Sequence, residues 1–198
     1  MGNLVDHIEM WTDGSIETNP KGAGGLGVLL VSDRLELAKV IGRYIPESQR
    51  NTNNRMELEA VILGLKNLVG QNLVIHIYSD SMYVVEGIRS WGYETNKDLW
   101  DKYVSLVKGN NFYIKPNLVK GHNGIPKNTV VDKVAGRSRK DEENFEDRGT
   151  LRDIMEKYQW MSFIVSIVKQ HLKNLGNIYV VLSVVKKFSI VMMNYKSI

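Results

Sequence analysis

The sequence predicts an α/β protein with a five-stranded mixed sheet flanked by helices, and three features of its 198 residues carry that expectation. Three β-prone runs come first, separated by connections short enough for antiparallel neighbours. Two further β-prone runs alternate with segments of helical periodicity, an order that calls for crossover connections and parallel pairing. Between the two groups lies Thr52-Asn53-Asn54-Arg55-Met56-Glu57-Leu58, an asparagine-rich turn running straight into an amphipathic helix.

Residues 4–12 read as the first strand, with Ile8, Met10 and Thr12 on one side and His7, Glu9 and Trp11 on the other. The run ends at Asp13-Gly14-Ser15, which sets a carboxylate at the strand's exit. Asn19-Pro20-Lys21-Gly22 and Gly24-Gly25 signal a turn. Strands over 27–32 and 35–44 follow, joined by a hairpin at Asp33-Arg34. Asn54 and Glu57 have the spacing of a capping box, which would put Glu57 on the helix's first turn. Leu58, Val61, Ile62, Leu65, Leu68 and Val69 then share one face, and Gly70 suits the end.

The apolar, β-branched run 73–78 suits a central strand covered on both faces. It stops at Ser79-Asp80, where Asp80 or Ser81 caps a helix over 81–88. A helix over 98–108, a strand over 112–119 and a helix over 128–137 complete the pattern, with Asp132 beside the apolar face of the last. The charge-rich stretch 141–153 reads as a solvated linker or frayed helix. Beyond it, 154–175 has helical character and 178–185 and 188–193 are β-prone, so the expected division is a domain over 1–140 and an extension over 141–198.

Composition narrows the chemistry. No cysteine is present, which excludes disulfides, thiolate zinc sites and thiol nucleophiles and permits a reducing compartment. No secretory signal is read at the start, and no run approaches the roughly 18 to 20 apolar residues of a membrane span, so a cytoplasmic protein is expected. The net charge of +4 is compatible with a polyanionic partner without requiring one. Asp13, Glu57, Asp80 and Asp132 all fall at strand ends or helix turns flanking one sheet, where functional groups gather in such folds. Each alone reads better as a solvated cap.

Four blocks, Trp11-Thr12-Asp13-Gly14-Ser15, Thr52 to Leu58, Tyr78-Ser79-Asp80-Ser81 and Val119-Lys120-Gly121-His122, together with Asp132, resemble type 1 ribonuclease H in residues, order and spacing. The resemblance spans about residues 6–139. It implies the RNase H-like fold and a metal-dependent endonuclease that cuts the RNA strand of an RNA–DNA hybrid, leaving 3′-hydroxyl and 5′-phosphate ends. It implies two Mg²⁺ ions, with Mn²⁺ as a substitute, held by Asp13 as the bridging ligand, by Glu57 and Asp80 on the side of the attacking water, and by Asp132. Hard carboxylate oxygens suit such ions, and unneutralised they repel one another. His122 matches the family's mobile histidine, which assists proton transfer or product release.

Gly14, Asn19, Asn53 and Asn54 match residues near the 2′-hydroxyls, Thr52 and Arg55 match candidates for phosphate contact or for ordering the turn, and Asn128 matches a further one. Asparagine both donates and accepts, as a hydroxyl reader must, although turn chemistry explains the same residues. Three departures from the family pattern stand out. Met82 replaces a common glutamine, the Lys/Arg-rich protrusion is reduced to Trp91-Gly92-Tyr93-Glu94-Thr95-Asn96-Lys97, and a tail follows Lys140. The tail's Lys169, Lys173, Lys186 and Lys187 are candidates to replace the lost grip. A monomer is expected. Junction resolvases, integrases and transposases share the fold, and a hybrid-binding module without chemistry remains an alternative.

Overall fold

The computed structural model describes residues 7–32, 34–121 and 124–158. Six strands, β1 (His7–Ile16), β2 (Gly24–Ser32), β3 (Leu37–Ile45), β4 (Val74–Ser79), β5 (Tyr113–Leu118) and β6 (Phe145–Thr150), form one sheet in the order β5-β4-β1-β2-β3-β6. The helices are α1 (Asn53–Lys66), α2 (Met82–Ser90), α3 (Lys97–Gly109) and α4 (Pro126–Asp141). β1, β2 and β3 pair antiparallel, and β4 and β5 add parallel to β1. That is the expected mixed sheet with one strand more.

The additional strand is β6, paired antiparallel with β3 inside the stretch read as a linker. Its charges masked it. Glu146 lies 3.0 Å from Lys39 Nζ and 2.6 Å from Arg43 Nη2, so the charges satisfy β3 rather than water. Phe145 closes over Gly42, and the Arg137 guanidinium stacks 4.5 Å above its ring. Residues Met1–Glu156 form one compact unit, which therefore runs past the expected boundary at 140. The expected tail segments 178–185 and 188–193, and most of 154–175, lie outside the described residues.

Two faces of the sheet are covered differently, and β2 shows how. Gly27 lies against Val131 of α4, while its neighbour Val28 packs with Leu58 and Val61 of α1. α1, α2 and α3 bury Met10, Ile75, Ile77, Trp100 and Tyr103 on the α1 side. Gly25 supports α4 as well, since a Cβ there would overlap the Ala135 carbonyl oxygen. Gly24-Gly25, read as a turn, is thus strand: the glycines are needed for close helix approach, not for bending the chain.

Helix boundaries also differ from the sequence pattern. Thr52, not Asn54, caps α1, its hydroxyl accepting the Arg55 N–H at 3.2 Å. Glu57 is consequently the fifth residue of the helix, past the first turn, and the capping-box reading fails. α1 ends at Lys66 because Asn67 folds back onto the Leu63 carbonyl (2.9 Å) and receives Lys39 Nζ (2.7 Å), leaving Val69 95% exposed. Ser81 caps α2 through the Val84 N–H, which releases Asp80 from that task.

Candidate active site

Asp13 sits within β1 rather than at its exit: it pairs with Gly27 of β2, and β1 continues to Ile16. On the other side β4 stops early. The last parallel pair is Trp11 with Tyr78, so beyond it Asp13 faces an open notch into which Asp80 emerges from the end of β4. α1 crosses above and brings Glu57. The approach depends on Gly14, whose Cα lies so near the helix backbone that a Cβ would stand 2.9 Å from Glu57 Cα. Among the described residues, carboxylate oxygens of Asp13, Glu57 and Asp80 all lie within 4.8 Å of one another.

The carboxylates raise one another's affinity for protons. Burial, then the charges of Asp80 and Asp132, push the Asp13 carboxyl up to about 8, against the pull of the Gly14 N–H. Glu57, 5% exposed, is raised well above the usual carboxylate range by burial, then by Asp13 and Asp80. Its Oε2 is buried without a hydrogen-bond partner among the described residues. A buried, unpartnered carboxylate oxygen on one of three grouped hard-oxygen residues fits a divalent cation. Asp132, on α4, is exposed; it acts on Asp13 through charge but stands outside the group of three.

The remaining expected residues divide. Asn128, 6% exposed, donates to Asp80 Oδ2 at 3.4 Å and so belongs to the carboxylate site. His122 lies outside the described residues, but the loop before it leans on the site: a Cβ at Gly121 would meet Asp80 Oδ2 at 2.7 Å. Asn53 and Asn54 are exposed at the start of α1, and the Asn53 N–H donates to Asn19 Oδ1 at 3.2 Å. Asn51 was not singled out by the sequence pattern, yet its buried side-chain amide donates to Gly22 O (3.0 Å) and Pro46 O (2.9 Å), while its backbone carbonyl accepts the Lys21 backbone N–H (2.8 Å). Nothing in the spacing separates it from its neighbours.

Arg55 is committed internally. Its guanidinium grips Asp98 in bidentate fashion at 3.0 and 2.7 Å and reaches Glu59 at 3.2 Å, and it is the main cause holding Asp98 down at about 2. Arg55 thus ties the start of α1 to the start of α3. Arg55→Met is expected to lower stability by about 2–4 kcal/mol, because two acids lose their partner; urea denaturation measures it.

The family model described as RNase H matches residues 6–140. The chain belongs to the RNase H family. It is 38% identical over 147 residues to a ribonuclease H of Verminephrobacter eiseniae, covering 67% of this chain and 90% of that one. It is 37% identical over 148 residues to one of Desulforamulus reducens, covering 66% and 86%. The fold matches LC9-RNase H1, a type 1 RNase H with the type 2 active-site motif, at a TM-score of 0.63 and 22% identity, covering 73% of this chain and 77% of that one. It also matches LC11-RNase H1 solved in complex with an RNA/DNA hybrid, at a TM-score of 0.53 and 22% identity over 68% and 98%.

This RNase H is a metal-dependent nuclease by family, and among its described residues the group of Asp13, Glu57 and Asp80 could hold a metal ion. Met82, at the place of the common glutamine, is 55% exposed at the start of α2. The shortened connection is closed by Tyr83, whose hydroxyl donates to Thr95 O (2.8 Å) and accepts from Trp100 Nε1 (2.9 Å) and Asn96 Nδ2 (3.1 Å). Among the described residues no helix is long and apolar enough to cross a membrane.

Proposed function

We propose that the protein hydrolyses the RNA strand of RNA–DNA hybrids with two Mg²⁺ ions, giving 3′-hydroxyl and 5′-phosphate ends, and that it works as a monomer in the cytoplasm. The observation that carries the reading is the convergence of Asp13, Glu57 and Asp80, with Glu57 buried and one of its oxygens unpartnered. Asp13, Glu57, Asp80 and Asp132 would hold the ions. Bound divalent cations supply an acidified water at neutral pH and stabilise charge on the leaving oxygen. The protein's own residues do the rest. Gly14 directs its N–H at the carboxylates, as Asn128 does its amide at Asp80, and both hold the acids in one geometry.

Substrate choice would rest on the asparagine-rich turn that leads into α1. The exposed amides of Asn53 and Asn54, with Asn19 beside them, would read the 2′-hydroxyls that distinguish the RNA strand. Thr52 serves that turn chiefly through its cap on α1. His122 would exchange a proton at the leaving or attacking oxygen. Its replacement by Ala is expected to slow turnover while leaving more activity than Asp13→Asn; equal residual rates in a single-turnover assay would refute the division of roles.

The direct test is cleavage of labelled RNA in a hybrid, with Mg²⁺, Mn²⁺ or chelator, beside the same sequence as duplex DNA. Cutting of the DNA duplex would return the protein to the junction nucleases and integrases, and binding without cutting would make it a hybrid-binding module. For the lysine-bearing tail, the cut belongs after Glu156, since removing everything past Arg139 would strip β6 from β3. If the tail grips substrate, truncation weakens hybrid affinity and flattens its salt dependence. Unchanged affinity across salt concentrations removes the tail from the binding surface.

A further inference from the structure

α4 begins without an ordinary cap: its N-cap residue is Ile125, which offers no side-chain acceptor, and Pro126 opens the helix. Yet this end carries Asn128, whose amide must reach Asp80 across 3.4 Å. Something else has to seat it. Lys127 reaches across to β1, 118 residues away in sequence, and pairs with Glu9 Oε2, both side chains being about three-quarters buried at 24% and 25% exposure. The Trp11 indole N–H donates to the same Glu9 oxygen at 3.1 Å, and Lys127 Nζ lies 5.9 Å above the Trp11 ring. Trp11 in turn stacks on Tyr78 at 4.2 Å with 7° between the planes. Trp11 and Tyr78 each stand two residues before a carboxylate of the site, Asp13 and Asp80, on the same face of β1 and β4.

We propose that Glu9 and Lys127 are a pair of positioning residues: their ion pair, seated on the Trp11–Tyr78 stack, pins the uncapped start of α4 to β1 and so holds Asn128 on Asp80. The inference rests on the nuclease reading for its kinetic consequence but not for its geometry. Neither residue touches the carboxylates. Both act through Asn128 and through the seat of α4, which also carries Asp132. Removing either half of the pair releases the same helix end, so the two losses are one loss.

The test uses the full chain as wild type, Lys127→Met, Lys127→Arg, Glu9→Gln and the double Glu9→Gln/Lys127→Met. Hybrid cleavage is measured with Mg²⁺, and the Asn128 side-chain amide is followed by NMR without metal. Lys127→Met and Glu9→Gln are each expected to lower kcat about tenfold with KM changed less than about twofold, as outer supports of metal sites do. The double variant is expected to fall no further, Lys127→Arg to keep the rate, and the Asn128 amide signal to move in both single variants. A raised KM in Lys127→Met but not in Glu9→Gln would make Lys127 a phosphate contact and overturn the proposal. So would unchanged kcat with only a lower Tm, or multiplicative losses in the double variant. A wild type inactive on hybrids would sink the nuclease reading alone, because the amide signal still reports whether the clamp holds Asn128.

Discussion

Replacing Asp13 by Asn is expected to abolish hybrid cleavage, by about 10³-fold or more, while making the metal-free protein more stable at pH 8. The two effects have one cause. The Asp13 carboxyl is buried, faces Asp80 and Asp132, and is held protonated up to about 8. A group whose folded pKa is raised contributes stability that is fully present below its unfolded value, near 3.8, and is lost as pH climbs through 8. Metal-free wild type should therefore melt roughly 5–10 °C closer to the Asp13→Asn variant at pH 5 than at pH 8, the variant being the more stable at the higher pH. Saturating Mg²⁺ should raise the wild-type Tm at pH 8 by about 5–10 °C and the variant's far less. Thermal melts at the two pH values, with Mg²⁺ or chelator, check the sign; a wild type indifferent to both pH and Mg²⁺ would mean the acids do not share one electrostatic site.

Gly14→Ala is expected to cost activity and stability together, unlike the carboxylate change. The Cβ would enter space filled by α1, meeting the Glu57 backbone N and Cα, neither of which is a flexible side-chain end. Either β1 or α1 must shift. We expect a loss of about 2–4 kcal/mol in denaturant unfolding, and at least a hundredfold in kcat, because Glu57 moves with its helix. Stability close to wild type would show that the strand and helix have slack between them. Preserved activity in a destabilised variant would show that Glu57 can follow the displacement.

The parts of this molecule legible in the sequence were those that repeat or punctuate. Alternation in β1, the apolar run of β4 and the 3.6-residue spacing of α1 each reported one partner surface, so the mixed sheet and its flanking helices followed. The acids at 13, 57 and 80 were legible because strand and helix signals framed them. What escaped was set by neighbours distant in sequence. β6 reads as a charged linker until Lys39 and Arg43 are set beside Glu146. Gly24-Gly25 reads as a turn until α4 lies on it. Glu57 reads as a capping residue until Thr52 takes the cap.

The amide of Asn51 joins Gly22 to Pro46, and Asn19 receives the Asn53 N–H, so the segment after β1 and the entrance to α1 are stitched into a single piece. A nucleic acid bound there would meet a face whose backbone is already cross-linked by hydrogen bonds, so less ordering would be paid for on contact. Association should accordingly be governed by shedding of water and counterions rather than by loop folding, with a heat-capacity change no larger than the covered area demands.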